Sequence, residues 1–479
     1  MNHDALLVEL GRFAFRTNFD ELDSTLRQGL GERIIDIVGL AVGALALDTS
    51  ASVSSYAQLM GGIGTASAIG LTERTSAPMA AFVNGVLAHS LDFDDTHLPS
   101  IVHPSASVVP AVLATAESIG AHGPETLVAV AVGLEVTLRI AMAGFVVSHH
   151  GGAGQSVFFE HGQHATSICG AIGSAVASAK LLGLDAGGIA HAGAIAASLA
   201  AGIIESNRNG GTVKRLHCGF AAQAGVQSAF LARAGITGAP TALEGRFGLF
   251  EALLRDEWSA EPVLDQLGST WLCDRIFYKP YPANHFTHTG FDAARQLFER
   301  GIGTSEIVDV ELGVAGATVR TIGEPIEPKR RPSNSYQAQF SGPFMVALGL
   351  SGRGHGLGVE LVDFGDEHLH APDMIELMSK IRVVASPECD AIYPYQFPAV
   401  LRVRTSDGTV HEARVLANRG GDKNPLSAAE LVAKFTANTA ALLDAEAASM
   451  LIDTVSGFAH GSTKIAELMD PLRMLTTER

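Results

Sequence analysis

From its N-terminus to about residue 268 this chain offers long apolar runs at helical spacing, rich in alanine and glycine, and almost no strand pattern. Small side chains let helix axes approach closely, so such a stretch packs helix on helix. The periodicity predicts helices over residues 22–47 (apolar nearly all round from Ile34), 78–91, 105–116, 124–147, 165–182, 186–203, 221–234 and 247–253. Residues 66–71 read as a short strand. The character changes at about residue 269. IVDVELGV alternates over 307–314, residues 381–384 read as a strand, and 399–405 with 411–417 form a hairpin pattern around Ser406-Asp407-Gly408. Helical period returns over 427–468. The expectation is a mainly α protein with an inserted α+β domain: a discontinuous helical domain, 1–268 and 421–479, and a smaller α+β lid domain, 269–420.

At 479 residues the chain is too long for one core. It is 47% hydrophobic and 17% charged, with a formal net charge of −17. That charge argues against nucleic acid as a partner and gives no attraction to an acidic membrane. An anion can still bind where cations are concentrated locally, so each lysine near a cleft is informative. The four cysteines are scattered without zinc spacing, which suggests neither a disulfide framework nor a metal site. The start, MNHDALLVELGRF, carries acids where a signal peptide needs a basic region, and residues 186–204 read as a buried core helix rather than a bilayer span. A soluble cytoplasmic protein is expected.

Four stretches combine ionisable side chains with turn residues. HSLDFDDTHLPSIVHPSASVVP (89–110) packs Asp92, Asp94, Asp95, Thr96, His97 and His103 between two apolar helical runs. If the first helix continued through it, Asp92, Asp95 and Thr96 would share a face, while Pro99 and Pro104 pin His103 on a turn. FEHGQHATS places His161 and His164 three apart, a possible metal pair lacking a third ligand, with His164 immediately before a helix. GGTVKRLHCG (210–219) reads as a basic turn carrying Lys214, Arg215 and His217. YKPYPANHFTHTG (278–290) fixes Lys279 between prolines and brings His285 and His288 towards a helix, at the proposed domain boundary. Downstream, Tyr336 offers a phenol. Taken singly, each is an ordinary solvated or packed residue. Together they supply acids, imidazoles and ammonium groups without a nucleophile elbow, dinucleotide fingerprint or HExxH. That inventory suits cofactor-free proton transfer on a small polycarboxylate.

SAPMAAFVNGVLAHSLDFDDTH, the following HPSASVVPA, the His164 stretch leading into GAIGSAVASAKLLGL, then VKRLHCG, KPYP and YQAQFSGP together resemble the MmgE/PrpD family of dehydratases, decarboxylases and epimerases. The resemblance covers most of the chain, and LDFDDTH…HPS is its most specific part. It implies a cofactor-free homodimer of helical domains with inserted α/β lids, the active site lying between the domains. It assigns active-site positions to Asp92, Thr96, His103, His164, Lys214, Lys279 and Tyr336. One position departs: where the family's decarboxylases carry a histidine two residues after the second proline, this chain has Asn284, and His285 follows.

The expected chemistry is removal or delivery of a proton at carbon next to a carboxylate. His103 and His164 would be the acid/base pair, Lys214 and Lys279 would stabilise enolate charge, and Asp92 would hold an imidazole. Thr96, His285 and Tyr336 would bind substrate. The leading expectation is a hydro-lyase acting on a hydroxy di- or tricarboxylate of the citrate type. The alternatives are an epimerase of an imino- or amino-linked dicarboxylate, a decarboxylase, and a binder that kept the fold.

Overall fold

The computed structural model describes residues 5–146, 154–206, 211–461 and 463–475. They form two compact units. The first takes the described parts of residues 1–146, 155–276 and 434–479, and the second is built on Phe277–Ala433. The sequence's change of character at 269 precedes the start of the second unit because residues 273–276 are tied to the first. There Arg33 donates to the carbonyls of Cys273 and Ile276, and the Cys273 amide donates to Glu135.

The first unit is helical. Its principal helices are Leu6–Arg16, Ser24–Gly43, Asp48–Met60, Ala77–His89, Ser105–Ile119, Gly123–Ala143, Ala165–Leu181, Ala186–Leu199 and Val213–Arg233, joined later by Ala445–Ser456 and Ile465–Arg473. Gly123–Ala143 is long and apolar enough to cross a membrane by length and composition, but it is a core helix, almost wholly buried. Close packing here depends on absent side chains. Ala77–His89 crosses Val213–Arg233 where Gly85 meets Gly219: a Cβ on Gly85 would fall 2.9 Å from the Cys218 carbonyl oxygen, and one on Gly219 would fall 2.5 Å from that of Phe82. This crossing sets His89 and the loop after it beside Lys214 and His217.

Two local expectations are corrected. Residues 66–71 form no strand; Ala66 makes one isolated bridge to Thr75 before the chain turns. The basic turn at 210–219 is mostly helix: Val213–Arg233 begins eight residues before the expected start, and Gly210 lies outside the described residues. Residues 149–153 likewise lie outside them, and Val157–Glu160 forms a helical turn just before His161.

The second unit holds a four-stranded sheet in the order Ile381–Ala385, Ile307–Val314, Ala399–Thr405, Val410–Val415. The first pair is parallel and the other two antiparallel. Alternation works as read: Val310 and Leu312 are buried, while Glu311 points to the opposite face and meets Arg382 and Arg402 across the strands. Helices His288–Glu299 and Gly342–Leu350 pack on one another and on this sheet. The fold is therefore mainly α with a small mixed α/β unit.

Candidate active site

Ala77–His89 stops at His89 instead of running on. Ser90 and Leu91 follow, and Asp92 has φ +52°, a left-handed conformation that aspartate tolerates better than most residues. Asp92, Asp95 and Thr96 therefore do not share a helical face, contrary to the helical continuation. The chain instead folds back on itself. His97 and Val102 pair antiparallel around Pro99, with Ile101 at φ +55°, and His103 emerges just before the helix Ser105–Ile119. Within this loop Asp92, Asp94, Asp95, Thr96, His97 and His103 are all buried.

Buried charges need partners, and each carboxylate here has one. Asp92 Oδ1 accepts from Lys214 Nζ at 2.9 Å. Asp95 is held by Arg33 at 2.9 Å and by the Ser105 hydroxyl at 2.5 Å. Asp94 Oδ2 lies 2.7 Å from His89 Nδ1 and 4.0 Å from His103 Nδ1. Behind the loop, Lys434 pairs with Asp36 at 2.7 Å, donates to the Phe93 carbonyl at 3.0 Å and sits over the Phe93 ring. These contacts bind residues 92–95 to the helix Ser24–Gly43.

The hydrogen bonds fix the chemistry of each imidazole. His103 Nδ1 lies 2.8 Å from the Asp95 carbonyl oxygen, which can only accept, so Nδ1 carries the hydrogen and the neutral ring's lone pair is on Nε2. Thr96 Oγ1 is 3.2 Å from the same nitrogen, and the His103 amide donates to Thr166. His164 stands at the N-cap of Ala165–Leu181, its amide donating to Gly202. Gly202 has φ +150°, and a Cβ there would fall 2.9 Å from that of Ser167, so glycine is what lets this segment reach His164.

His164 Nδ1 is 2.8 Å from His217 Nδ1, which means that one ring donates and the other accepts and only one hydrogen lies between them. Burial, then His89, His217, Lys214 and His103, push His164 well below the ordinary histidine value. Burial, His89 and Lys214 push His217 down to about 4. At neutral pH this pair is uncharged, and its shared hydrogen can sit on either ring. Lys214 and His217 are three apart on the first turn of Val213–Arg233, which brings them to one face.

The rings form a row: His103 to His89 5.3 Å, His89 to His164 5.7 Å, His164 to His217 4.9 Å between centroids. The site residues read in the helical part of the sequence, Asp92, Thr96, His103, His164 and Lys214, are thus brought together within the first unit. His161 is exposed; it faces the Leu253 carbonyl and Glu257 while His164 is buried against His217, so the two do not act as a pair. His97 is a structural residue, bonded to Ser100 and lowered to about 3 by burial and Arg275. Cys218 is buried, and its thiol is pushed well above its usual value by burial and Asp94, so it offers no thiolate at neutral pH.

Lys279, His285 and Tyr336 belong to the second unit. Lys279 is 1% exposed. His285 is buried among Phe277, His288 and Phe397. Asn284 caps the short turn that carries His285, its side chain accepting from the Phe286 amide. Tyr336 is half-buried and packs against Phe340.

Sequence reasoning passed over His89, Arg33, Asp36 and Lys434. Arg33 and Asp36 did leave a signal: they sit three apart at the edge of a run otherwise apolar all round, where a charge must find a buried partner.

The MmgE/PrpD N-terminal domain matches residues 8–261 and the MmgE/PrpD C-terminal domain residues 281–458. Among similar proteins are the cis-aconitate decarboxylase of Homo sapiens, 29% identical and spanning 78% of this chain and 75% of that protein, and that of Mus musculus, 27% identical over 88% and 84%. The cis-aconitate decarboxylase of Aspergillus terreus is 26% identical over 85% and 84%.

Proposed function

This chain belongs to the MmgE/PrpD family, and we propose that it is a lyase working by proton transfer at the carbon next to a carboxylate of a small di- or tricarboxylate. One observation carries the reading: a buried row of imidazoles with a buried lysine, Lys214, alongside. The pairing of Lys214 with Asp92 keeps an ammonium charged in a low-dielectric site, where it attracts a carboxylate strongly and stabilises enolate charge.

In the hydro-lyase form, His164 takes the α-proton on a ring nitrogen and the C–H electron pair moves to form the new double bond. The carbon–oxygen bond breaks, and the leaving hydroxyl takes a proton from His103 to depart as water. His164 is suited to be the base because its surroundings keep it uncharged. His103 is suited to be the acid because its Nδ1 hydrogen is held by the Asp95 carbonyl, which leaves Nε2 to carry the transferred proton. Loss of water uses an acid and a base in one step, which is what two differently held imidazoles provide.

A second reading follows from the relatives, which are cis-aconitate decarboxylases. There the carbon–carboxyl bond breaks, carbon dioxide leaves, and one imidazole returns a proton to the carbanion. The test is incubation with citrate, 2-methylcitrate, cis-aconitate and iminodisuccinate in deuterated water, followed by NMR. A new alkene with loss of water supports the hydro-lyase, carbon dioxide with deuterium at carbon supports the decarboxylase, and exchange without either means an epimerase. No turnover and no exchange across the panel overturns the proposal.

A further inference from the structure

The mechanism above leaves the buried His89–Asp94 pair unused. His89 is the last residue of Ala77–His89 and is 2% exposed. Its Nδ1 meets Asp94 Oδ2 at 2.7 Å, and Asp94 is itself fully buried. Its Nε2 makes no hydrogen bond among the described residues. Leaving a buried nitrogen without a partner costs about 1–3 kcal/mol, which a purely space-filling role would avoid by using an apolar side chain. The ring lies between the two imidazoles assigned to the chemistry, 5.3 Å from His103 and 5.7 Å from His164.

We propose that His89, held by Asp94, is a positioning residue that keeps a proton on the His103 side of the row and off His164. Asp94 Oδ2 takes the His89 Nδ1 contact at 2.7 Å, so the carboxylate facing the row sits at its His103 end and not at His164. Asp94 also lies 4.0 Å from His103 Nδ1, so His103 shares the compensating carboxylate. The leading influences on His164 after burial are His89, His217, Lys214 and His103, all of them cations when charged, with His89 the first. The groups around the pair are Asp94, Asp92 and His103 from the loop, His164 from the N-cap of Ala165–Leu181, and Lys214, His217 and the Cys218 thiol from Val213–Arg233. Removing the His89 ring takes away the leading side-chain influence on His164 and leaves Asp94 in place.

The kinetic arm of the test rests on the lyase reading; the spectroscopic arm does not. The full chain, labelled at the histidine rings, is titrated by NMR from pH 8 down to its acid limit of folding, with His164→Asn used to assign the His164 signal. In the unmutated protein the His164 midpoint should lie well below the ordinary histidine value. In His89→Gln, whose amide still donates to Asp94, the His164 midpoint should rise by about one unit or more, a tenfold change in proton affinity. His89→Phe, which keeps the ring volume, should do the same and serves if the first variant does not fold. In either folded variant the acidic limb of kcat/KM should move up in pH by the same amount, while KM at pH 8 stays within about twofold. An unmoved His164 in a folded variant overturns the positioning role, whatever the activity. A moved His164 in a protein that turns over none of the polycarboxylates supports the positioning role and overturns the lyase reading instead.

Discussion

Arg33 is far from any catalytic motif in the sequence, yet substituting it should damage the fold and the site together. In Arg33→Met the loss begins with the ion pair to Asp95, 2.9 Å long and between side chains 7% and 1% exposed. Two backbone carbonyls, Cys273 at 3.3 Å and Ile276 at 2.9 Å, lose their donor as well. Removing one member of a buried pair costs about 3–5 kcal/mol, because the other charge stays buried. With an m-value of about 3 kcal/mol/M, the urea midpoint should fall by about 1–1.7 M. Asp95→Asn should cost less, since its amide oxygen can still accept from Arg33. The double variant should be about 1–2 kcal/mol more stable than Arg33→Met alone, because the stranded carboxylate is gone. Asp95 also fixes the tautomer of His103 through its backbone carbonyl, so kcat of folded Arg33→Met should fall by about tenfold. The measurement is urea unfolding followed by circular dichroism for the wild type, both single variants and the double. A cost below about 1 kcal/mol for Arg33→Met, or strict additivity of the two changes, would refute the reasoning.

His164→Asn should lower kcat by about 10²–10⁴-fold and change KM little, read by steady-state kinetics on whichever polycarboxylate is turned over. Lys214→Met should lower kcat by more than about tenfold and raise KM by less, and should also destabilise the protein because the buried Asp92 loses its ammonium. Stability should fall as pH drops from about 6.5 towards 4. His164, His217 and His97 are all depressed in the folded protein, so the unfolded chain binds more protons in that window; each group contributes a slope of about 1.4 kcal/mol per pH unit, measurable as urea midpoints against pH. Activity should survive exhaustive chelation. This is a demanding test, because His89, Asp94 and Cys218 present ligand atoms within 4.8 Å of one another, and a loss restored by added zinc would contradict metal-free chemistry.

The fold class was legible because its signals are local. Alternation over Ile307–Val314 and the hairpin around Ser406-Asp407-Gly408 rest on side chains and turn residues a few positions apart, and Gly408 does adopt positive φ, +86°, between strands ending at Thr405 and starting at Val410. The start of Val213–Arg233 was not legible for the opposite reason. Glycine, lysine, arginine and histidine in sequence read as a turn by local preference. The helix forms there because Gly219 allows contact with Ala77–His89, a fact about another element. Asp92 is a similar case: nothing in LDFDD announces that the helix ends at His89 and that the aspartate takes a left-handed conformation.

The same division runs through the site. The residue types were readable from density alone, since acids and imidazoles between two apolar helices must either be solvated or be paired, and burial decides for pairing. Which atoms pair was not readable, because the partners come from distant positions: Arg33 for Asp95, Lys214 for Asp92, His217 for His164. That pattern also bears on how a chain of net charge −17 can meet an anion. Charge spread over the surface is screened within about 8–10 Å at physiological ionic strength, whereas a buried ammonium is screened far less. Lys214 therefore governs what happens within a few ångströms of it. Asp92 keeps that ammonium charged but also competes for it, so an incoming carboxylate must share Lys214 with Asp92 rather than meet a free cation. Such sharing weakens the hold on the ground-state carboxylate. As negative charge grows on the reacting carbon skeleton, the balance shifts towards substrate, which places the stabilisation in the transition state, where it raises the rate.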